Sequence, residues 1–254
     1  VDPDLAIKPE KRMKEFQNLI YRTHDAGLKV IIDFVPNHVA RQYQSANRPE
    51  GVKDLGEEDD QTLSFSPQNN FYYIPGHPFQ PGFDLQGSAP SPYEECPAKA
   101  TGNDNFSPSP GRNDWYETIK LNYGIDYCNG GERHFDPIPS TWFKMRDILL
   151  FWAGKGIDGF RCDMAEMVPV EFWAWAIPQV KCHYPSLVFI AEVYNPNEYR
   201  NYIYKGGFDY LYDKVGLYDT LRGVVCGYAS ARQITGCWQN VDDIKDRMLN
   251  FLEN

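Results

Sequence analysis

Apolar positions along the chain follow one repeated pattern, a helical period that ends in glycine and is followed by a short, continuous apolar run. The first repeat occupies residues 8–38, where Gly27 ends the predicted helix and residues 30–35 form the run. The apolar positions at helical spacing are Met13, Phe16, Leu19 and Ile20. The same pattern returns at residues 140–163 and 169–194, so the sequence predicts three helix–strand units.

Two further segments continue the pattern. Residues 208–225 suggest a strand and a helix, and residues 240–254 suggest a helix that leads into a strand. Helices that alternate with short apolar strands are typical of parallel strands covered by helices. No G-x-G-x-x-G loop follows any of these strands, which argues against a dinucleotide-binding sheet. The predicted fold class is therefore α/β, a (β/α)8 TIM barrel.

A long segment without periodicity separates the first two units. Residues 39–135 hold most of the prolines and many Gly, Asn, Ser and Asp residues. About a hundred such residues are too many for a loop of a compact domain, so we expect an inserted subdomain with short strands. The predicted organisation is a barrel from residues 1–38 and 136–254, with the subdomain at residues 39–135 between them.

Three of the predicted strands end in polar residues that a buried strand should exclude. These residues are Asp33 and Asn37 at the first strand, with His38 beginning the loop after it, Arg161 and Asp163 on the second, and Glu192 on the third. A buried ion-pair network would explain one such strand, because an isolated buried charge costs several kcal/mol. Three strands with the same ending favour a functional site, since the reacting groups of a TIM barrel lie at the carboxyl ends of its strands.

Two of these carboxyl groups suit glycoside hydrolysis, which needs one carboxyl group as nucleophile or base and another as proton donor. Arg161 lies two residues from Asp163 on the same strand face and would hold that carboxylate ionised, as a nucleophile requires. Glu192 follows an apolar run and has no basic neighbour in sequence, which favours the proton-donor role.

Composition narrows the classes of partner. The chain has 25 Lys and Arg residues against 35 Asp and Glu residues, a net charge of −10, and no basic run, which argues against nucleic acid and anionic membrane surfaces. No apolar stretch is long enough to predict a membrane span. Aromatic residues make up 15% of the chain, which suits stacking against ring-shaped ligands, although a bulky core explains most of them.

The six cysteines show no C-x-x-C spacing, so a zinc site is not expected. Cys162 lies in the charged second strand and is expected to be a buried thiol. Cys96 and Cys128 flank loop-rich sequence and are candidates for a disulfide in an oxidising compartment.

Short motifs at the strand ends resemble those of the α-amylase family, glycoside hydrolase family 13. The stretch DFVPNH at residues 33–38 resembles the family's third-strand motif, and GFRCD at residues 159–163 resembles its fourth-strand motif. FIAEV at residues 189–193 resembles the fifth-strand motif that carries a glutamate, and KLNYGIDY at residues 120–127 resembles a motif near the end of the family's domain B. Their order and the long insertion after the first motif extend the resemblance over nearly the whole chain.

The resemblance implies a retaining enzyme that acts on α-linked glucans or maltooligosaccharides. Asp163 would be the nucleophile and Glu192 the general acid/base, with their carboxyl groups about 5–5.5 Å apart. Arg161 would contact Asp163, and His38 would bind the sugar at the cleavage subsite. No cofactor is implied for the chemistry itself.

The remaining site residues follow from the same resemblance. Asp33 would support Arg161, and Asn37 would brace its loop, serving as a calcium ligand only in those members that bind calcium there. The metal content is therefore open, with calcium the candidate. Glu166 and Met167 stand where many members carry a Lys-His pair that lines the leaving-group subsite. We expect these two residues to bind substrate, and their departure leaves the preferred glucan open.

The ends of the chain bear on the expected activity. The family's seventh-strand motif reads F-x-x-N-H-D, and this chain finishes with FLEN at residues 251–254, before the Asp that would be the third catalytic carboxylate. The chain begins just before the barrel's second helix. We therefore expect a partial barrel, about strands three to seven, from a longer enzyme, and we expect this piece alone to be inactive.

Three hypotheses for function follow. The leading one is a retaining α-glucan hydrolase. A non-catalytic amylase-like protein that binds glucan or serves as an interaction subunit is the second, and transglycosylation or phosphorolysis with the same two carboxylates is the third. The sequence does not fix the compartment, although a polysaccharide substrate favours a secreted or periplasmic enzyme.

Overall fold

The structure is a computed structural model that describes residues 8–44, 48, 50–83, 85 and 93–250. These residues divide into two compact units. One lies within Val1–Phe34 and Arg146–Asn254, and the other within Val35–Met145. The domain boundaries predicted at residues 38 and 135 stay a prediction.

The described residues form eleven strands and five α-helices. The strands are β1 (Ile31–Phe34), β2 (His38–Ala40), β3 (Tyr73–Ile74), β4 (Ala98–Lys99), β5 (Thr118–Lys120), β6 (Ile125–Asp126), β7 (Glu132–Arg133), β8 (Gly159–Cys162), β9 (Val188–Ala191), β10 (Tyr210–Asp213) and β11 (Met248–Asn250). The helices are α1 (Pro9–Asp25), α2 (Ser140–Ala153), α3 (Val170–His183), α4 (Asp219–Val225) and α5 (Gln233–Gln239).

The first unit is built on one parallel sheet. Its five strands lie in the order β1-β8-β9-β10-β11, which is also their order along the chain, and each pairs in parallel with its neighbour. Helices in the connections between parallel strands are the arrangement of a (β/α)8 barrel, here a part of one. The three predicted helix–strand units correspond to α1 with β1, α2 with β8 and α3 with β9. The predicted fold class is confirmed.

One face of this sheet forms an apolar core. Its side chains are at most 5% exposed, and they are Phe34, Phe160, Cys162, Phe189, Ala191 and Leu211. Helix α3 packs here through Trp173, whose ring centroid lies 6.3 Å from that of Phe34 and 4.8 Å from that of Phe208. Full burial stabilises each large apolar side chain by about 1.5–3 kcal/mol. The predicted buried thiol of Cys162 is confirmed, and desolvation raises its pKa well above the ordinary value.

The helix predicted at the start of residues 240–254 is wrong. A short helix, α5, lies before this segment, and only the 3-10 turn Lys245–Arg247 precedes β11. One turn buries the side chains of Val241 and Ile244, and the Ile244 N–H donates to the Val241 carbonyl at 2.9 Å. The FLEN segment at residues 251–254 lies outside the described residues.

The second unit contains short antiparallel pairs, β2 with β5, β3 with β4 and β6 with β7. Strands of two or three residues agree with the short strands expected for this part of the chain. Its buried apolar residues include Phe71, Tyr72, Ile119, Leu121 and Tyr123.

An ion pair lies inside the second unit. Arg41 Nη1 contacts Glu95 Oε1 at 2.6 Å, and the two side chains are 4% and 3% exposed. Arg41 also donates to the backbone carbonyls of Tyr116, Lys99 and Thr118, so each side of its guanidinium is bound. Desolvation lowers the pKa of Arg41, and the charge of Glu95 opposes that effect. Because the strands here are so short, this pair supplies bonds that join several of them.

Two further sequence expectations can be compared with the described residues. None of their helices is both long enough and apolar enough to cross a membrane. All six cysteines are free thiols, and Cys96 and Cys128 are both exposed, so the disulfide suggested for them is not present.

Candidate active site

The strand register gathers the polar residues of the first unit on one face. Asp33 on β1 pairs with Arg161 on β8, and Arg161 pairs with Ile190 on β9. Residues two apart share a face, so Asp163 and Glu192 lie on the same side as Arg161. The sheet ladder continues past the strand ends, because the Asp163 N–H donates to the Phe34 carbonyl at 2.8 Å and the Glu192 N–H donates to the Cys162 carbonyl at 3.1 Å. These backbone hydrogen bonds therefore fix the main-chain positions of Asp163 and Glu192.

Close approach of β8 and β9 depends on Gly159. A Cβ atom at this position would lie 2.6 Å from the Val188 carbonyl oxygen, which is closer than real Cβ contacts allow. The close packing of the two strands thus explains why the GFRCD stretch begins with glycine.

Arg161 joins three carboxylates. Its Nη1 donates to Asp33 Oδ1 at 2.9 Å and to Asp163 Oδ1 at 2.6 Å, and its Nη2 lies 2.7 Å from Glu192 Oε1. Desolvation acts to lower the pKa of Arg161, but the hydrogen bonds to Asp33 and Asp163 and the charge of Glu192 outweigh it and raise that pKa. The predicted contacts of Arg161 with Asp163 and Asp33 are present in the structure.

Glu192 has surroundings that its sequence neighbours did not indicate. Its side chain is 8% exposed, against 22% for Asp163 and 55% for Asp33. Besides the contact with Arg161, its Oε2 accepts from the Met164 N–H at 2.8 Å and its Oε1 accepts from the Tyr194 hydroxyl. The apolar environment inferred from the preceding run is therefore wrong, because a basic group and two further donors reach this carboxylate from other parts of the fold.

The backbone conformation of the turn after Asp163 sets the direction of the Met164 N–H. Met164 has φ 44° and ψ 40°, in the left-handed region that a long side chain rarely adopts. Such a conformation costs of order 1–3 kcal/mol and persists where the surroundings hold it. Here it directs the Met164 N–H toward Glu192 Oε2.

Two tyrosines near the carboxylates were missed by the sequence analysis. Tyr194 donates to Glu192, and the Tyr212 ring lies 5.8 Å from the Arg161 guanidinium carbon, within reach of a cation–π interaction. The two-residue spacing along the strands could have identified both tyrosines. Tyr194 is two residues after Glu192, and Tyr212 is two residues after Tyr210, which pairs with Ile190 on the polar face.

Glu166 and Met167 lie in the 3-10 turn Ala165–Met167 and are half-buried. The Glu166 carboxylate accepts from the Asn195 N–H at 3.0 Å, which ties the turn after β8 to the loop after β9. The Glu166 carboxylate thus makes a structural contact. The substrate-binding role expected for Glu166 and Met167 stays a prediction.

Asn37 and His38 belong to the second unit. Asn37 is 1% exposed, and its Nδ2 donates to the Gly102 carbonyl at 2.7 Å and lies 3.2 Å from His38 Nδ1. The His38 and Trp115 ring centroids are 5.4 Å apart. Asn37 therefore braces the loop at residue 102, as its predicted supporting role requires. The sugar contact expected of His38 stays a prediction.

The side-chain oxygen of Asn37 accepts a hydrogen bond from the buried ammonium group of Lys120. Lys120 is 2% exposed, and its Nζ donates to Asn37 Oδ1 at 2.8 Å and lies 2.5 Å from Asp104 Oδ1. Desolvation lowers the pKa of Lys120, and Asp104 opposes that shift. Because a cation already binds the oxygen that a calcium ligand would offer, Asn37 does not fit calcium in this arrangement. The described residues also hold no cluster of three or more His, Cys, Asp or Glu side chains suited to a metal.

Comparison with known proteins fits this geometry. Residues 11–196 match the family model described as alpha amylase, catalytic domain. The chain belongs to the α-amylase family. The matched segment contains β1, β8 and β9 and all the strand-end residues named above.

Solved structures of this family share the fold. An α-amylase from Lactobacillus plantarum is 23% identical with a TM-score of 0.55, and the alignment covers 95% of this chain and 46% of that one. The ligand-free cyclic α-maltosyl-(1→6)-maltose hydrolase from Arthrobacter globiformis is 16% identical with a TM-score of 0.60, with coverages of 95% and 45%. These likenesses support the partial barrel.

Sequence similarity also reaches transferases. An α-1,4-glucan:maltose-1-phosphate maltosyltransferase from Cereibacter sphaeroides is 33% identical over 75 residues, which are 30% of this chain and 13% of that protein. The chain thus spans less than half of each solved structure and a small part of this relative. The family contains both hydrolases and transferases that act on α-glucans.

Proposed function

We propose that the protein carrying this chain is a retaining glycosidase that cleaves α-glucosidic bonds in starch-type glucans or maltooligosaccharides. The observation that supports this most directly is that Asp163 and Glu192, on neighbouring strand ends, bind two nitrogens of the one Arg161 guanidinium. Two adjacent carboxyl groups at the carboxyl ends of parallel strands are what a retaining mechanism requires.

In this proposal Glu192 gives its proton to the glycosidic oxygen while a carboxylate oxygen of Asp163 attacks the anomeric carbon. The bond from that carbon to the leaving oxygen breaks, and a covalent glycosyl–Asp163 ester forms. Glu192, now ionised, takes a proton from water. The hydroxide attacks the anomeric carbon, and Asp163 is released with net retention. Arg161 holds the Asp163 and Glu192 side chains in position through the cycle.

The test uses the protein at its full natural length with maltoheptaose as substrate. Glu192→Gln is expected to lower kcat by about 10²- to 10⁴-fold, the usual contribution of general acid–base catalysis, and Asp163→Asn at least as much. Asp158→Asn is the matched control. It lies just before β8, at the opposite end from Asp163, where it contacts His24 at 2.7 Å.

The anomer formed at first turnover gives an independent readout. Proton NMR of fresh product is expected to show the α-anomer, as retention requires. An Asp163→Asn variant that hydrolyses maltoheptaose at the wild-type rate, or a β-anomeric product, would overturn the proposal.

Transfer to an acceptor other than water is the second candidate, favoured by the similarity to maltosyltransferases. The same covalent intermediate can be intercepted by a sugar hydroxyl or by phosphate. Incubation of the protein with maltose 1-phosphate and maltoheptaose separates the two. Longer glucans with release of inorganic phosphate indicate transfer, and short reducing sugars from maltoheptaose alone indicate hydrolysis. Binding of glucan without turnover, both with maltoheptaose alone and with maltose 1-phosphate added, would favour the hypothesis of a non-catalytic protein.

A further inference from the structure

The three groups that donate hydrogen bonds to Glu192 differ in whether they can also accept one. Arg161 Nη2 and the Met164 N–H donate to this carboxylate, and neither group has a lone pair that accepts a proton. The Tyr194 hydroxyl is different, because a phenol both donates and accepts. Tyr194 is therefore the member of this set that suits both forms of a group that loses and regains a proton.

The position of Tyr194 also suits such a role. It binds the same oxygen, Oε1, as Arg161 Nη2, whereas the Met164 N–H binds Oε2. Desolvation, followed by its bond to Glu192, raises the pKa of the Tyr194 hydroxyl above its ordinary value, so this hydroxyl keeps its proton at neutral pH. The Tyr194 side chain is half-buried.

We propose that Tyr194 is a positioning residue for proton transfer by Glu192. Its hydroxyl donates to Oε1 when Glu192 is ionised after giving its proton to the leaving oxygen. It turns to accept when Glu192 has regained a proton from water, so no proton is gained or lost by Tyr194. This inference rests on the acid/base role of Glu192 proposed above.

The test compares two substrates that differ in their need for a proton donor. Maltoheptaose has a sugar hydroxyl as leaving group and needs protonation, whereas α-maltosyl fluoride loses fluoride without it. In the full natural-length protein, Tyr194→Phe is expected to lower kcat/KM for maltoheptaose by about 10- to 150-fold, the range for one bond to a charged group. Its kcat/KM for the fluoride is expected to stay near that of the wild type.

Tyr202→Phe is the matched control, since it removes a buried hydroxyl that donates to the carbonyls of Glu166 at 3.0 Å and Val168 at 2.8 Å. It is expected to lower the melting temperature while leaving the ratio of the two kcat/KM values unchanged. Equal losses on both substrates in Tyr194→Phe, or no loss on maltoheptaose, would overturn the inference. Wild-type protein that turns over neither substrate would instead overturn the proposed function, and the inference with it.

Discussion

Arg161 gives the sharpest test of the site because one side chain joins three carboxylates through two nitrogens. Its Nη1 binds Asp33 and Asp163, and its Nη2 binds Glu192. Lysine keeps the positive charge but carries one nitrogen on a flexible stem, so Arg161→Lys cannot hold both proposed catalytic carboxylates in this fork. The substitution therefore separates the geometry of the guanidinium from its charge.

The expected loss follows from the number of bonds. The lysine ammonium retains a bond to one of Asp163 and Glu192 and loses the other, and a hydrogen bond to a charged group contributes about 1.5–3 kcal/mol. Since roughly 1.4 kcal/mol of barrier is a factor of ten, kcat/KM should fall about 10- to 150-fold. Arg161→Met loses both bonds and leaves the carboxylates without their cation, which gives a loss of roughly 10²- to 10⁴-fold.

The assay is kcat/KM for maltoheptaose in the full natural-length protein, with the melting temperature measured alongside. Arg200→Lys is the control, because Arg200 pairs with Asp243 at 2.6 Å in the same unit but with both side chains nearly half exposed. Its effect should be negligible, as for most exposed ion pairs. Wild-type activity in Arg161→Lys, or a loss as large as in Arg161→Met, would refute the reasoning from the fork.

Two further predictions concern the second unit. Arg41→Met should lower the free energy of unfolding by about 1.5–3 kcal/mol, the contribution of one hydrogen bond to a charged group, because the buried Glu95 loses Arg41 Nη1 and keeps Lys99 Nζ at 3.2 Å. The exposed Arg48→Met should cost less than about 1 kcal/mol. Denaturant unfolding of the full natural-length protein compares the two variants, and equal losses would contradict the argument. Lys120→Met should lower the free energy of unfolding by about 1–3 kcal/mol, because it leaves Asn37 Oδ1 without its donor. Wild-type stability of this variant in the same denaturant experiment would contradict the argument that the Lys120 ammonium occupies this position.

The strands and their polar face were predictable from the sequence because both depend on local periodicity. Continuous apolar runs locate β1, β8 and β9, and the two-residue period puts Arg161 and Asp163 on one side. Parallel order then brings Glu192 to the same edge of the sheet. These steps need no knowledge of contacts between distant residues.

The contacts that tune the site were not predictable in the same way. Arg161 on β8 reaches Glu192 at the end of the neighbouring strand β9. The Met164 N–H reaches Glu192 through a left-handed backbone conformation that none of the residue types in GFRCDM predicts. Lys120 meets Asn37 because β2 and β5 pair, although 83 positions separate the two residues. Periodicity reports which face a side chain occupies, whereas such bonds depend on the register between segments far apart in sequence.

The structure also changes the grounds for assigning the two carboxylates. The sequence favoured Glu192 as the acid because its neighbours are apolar, yet three donors reach it and both of its oxygens are bound. Those donors suit the anion that remains after proton donation. Among the described residues Asp163 is held through Oδ1 alone, by Arg161, which leaves Oδ2 with lone pairs for attack on carbon. The unbound oxygen of Asp163 therefore supports the proposed nucleophile and acid/base roles, and apolar surroundings do not enter the argument.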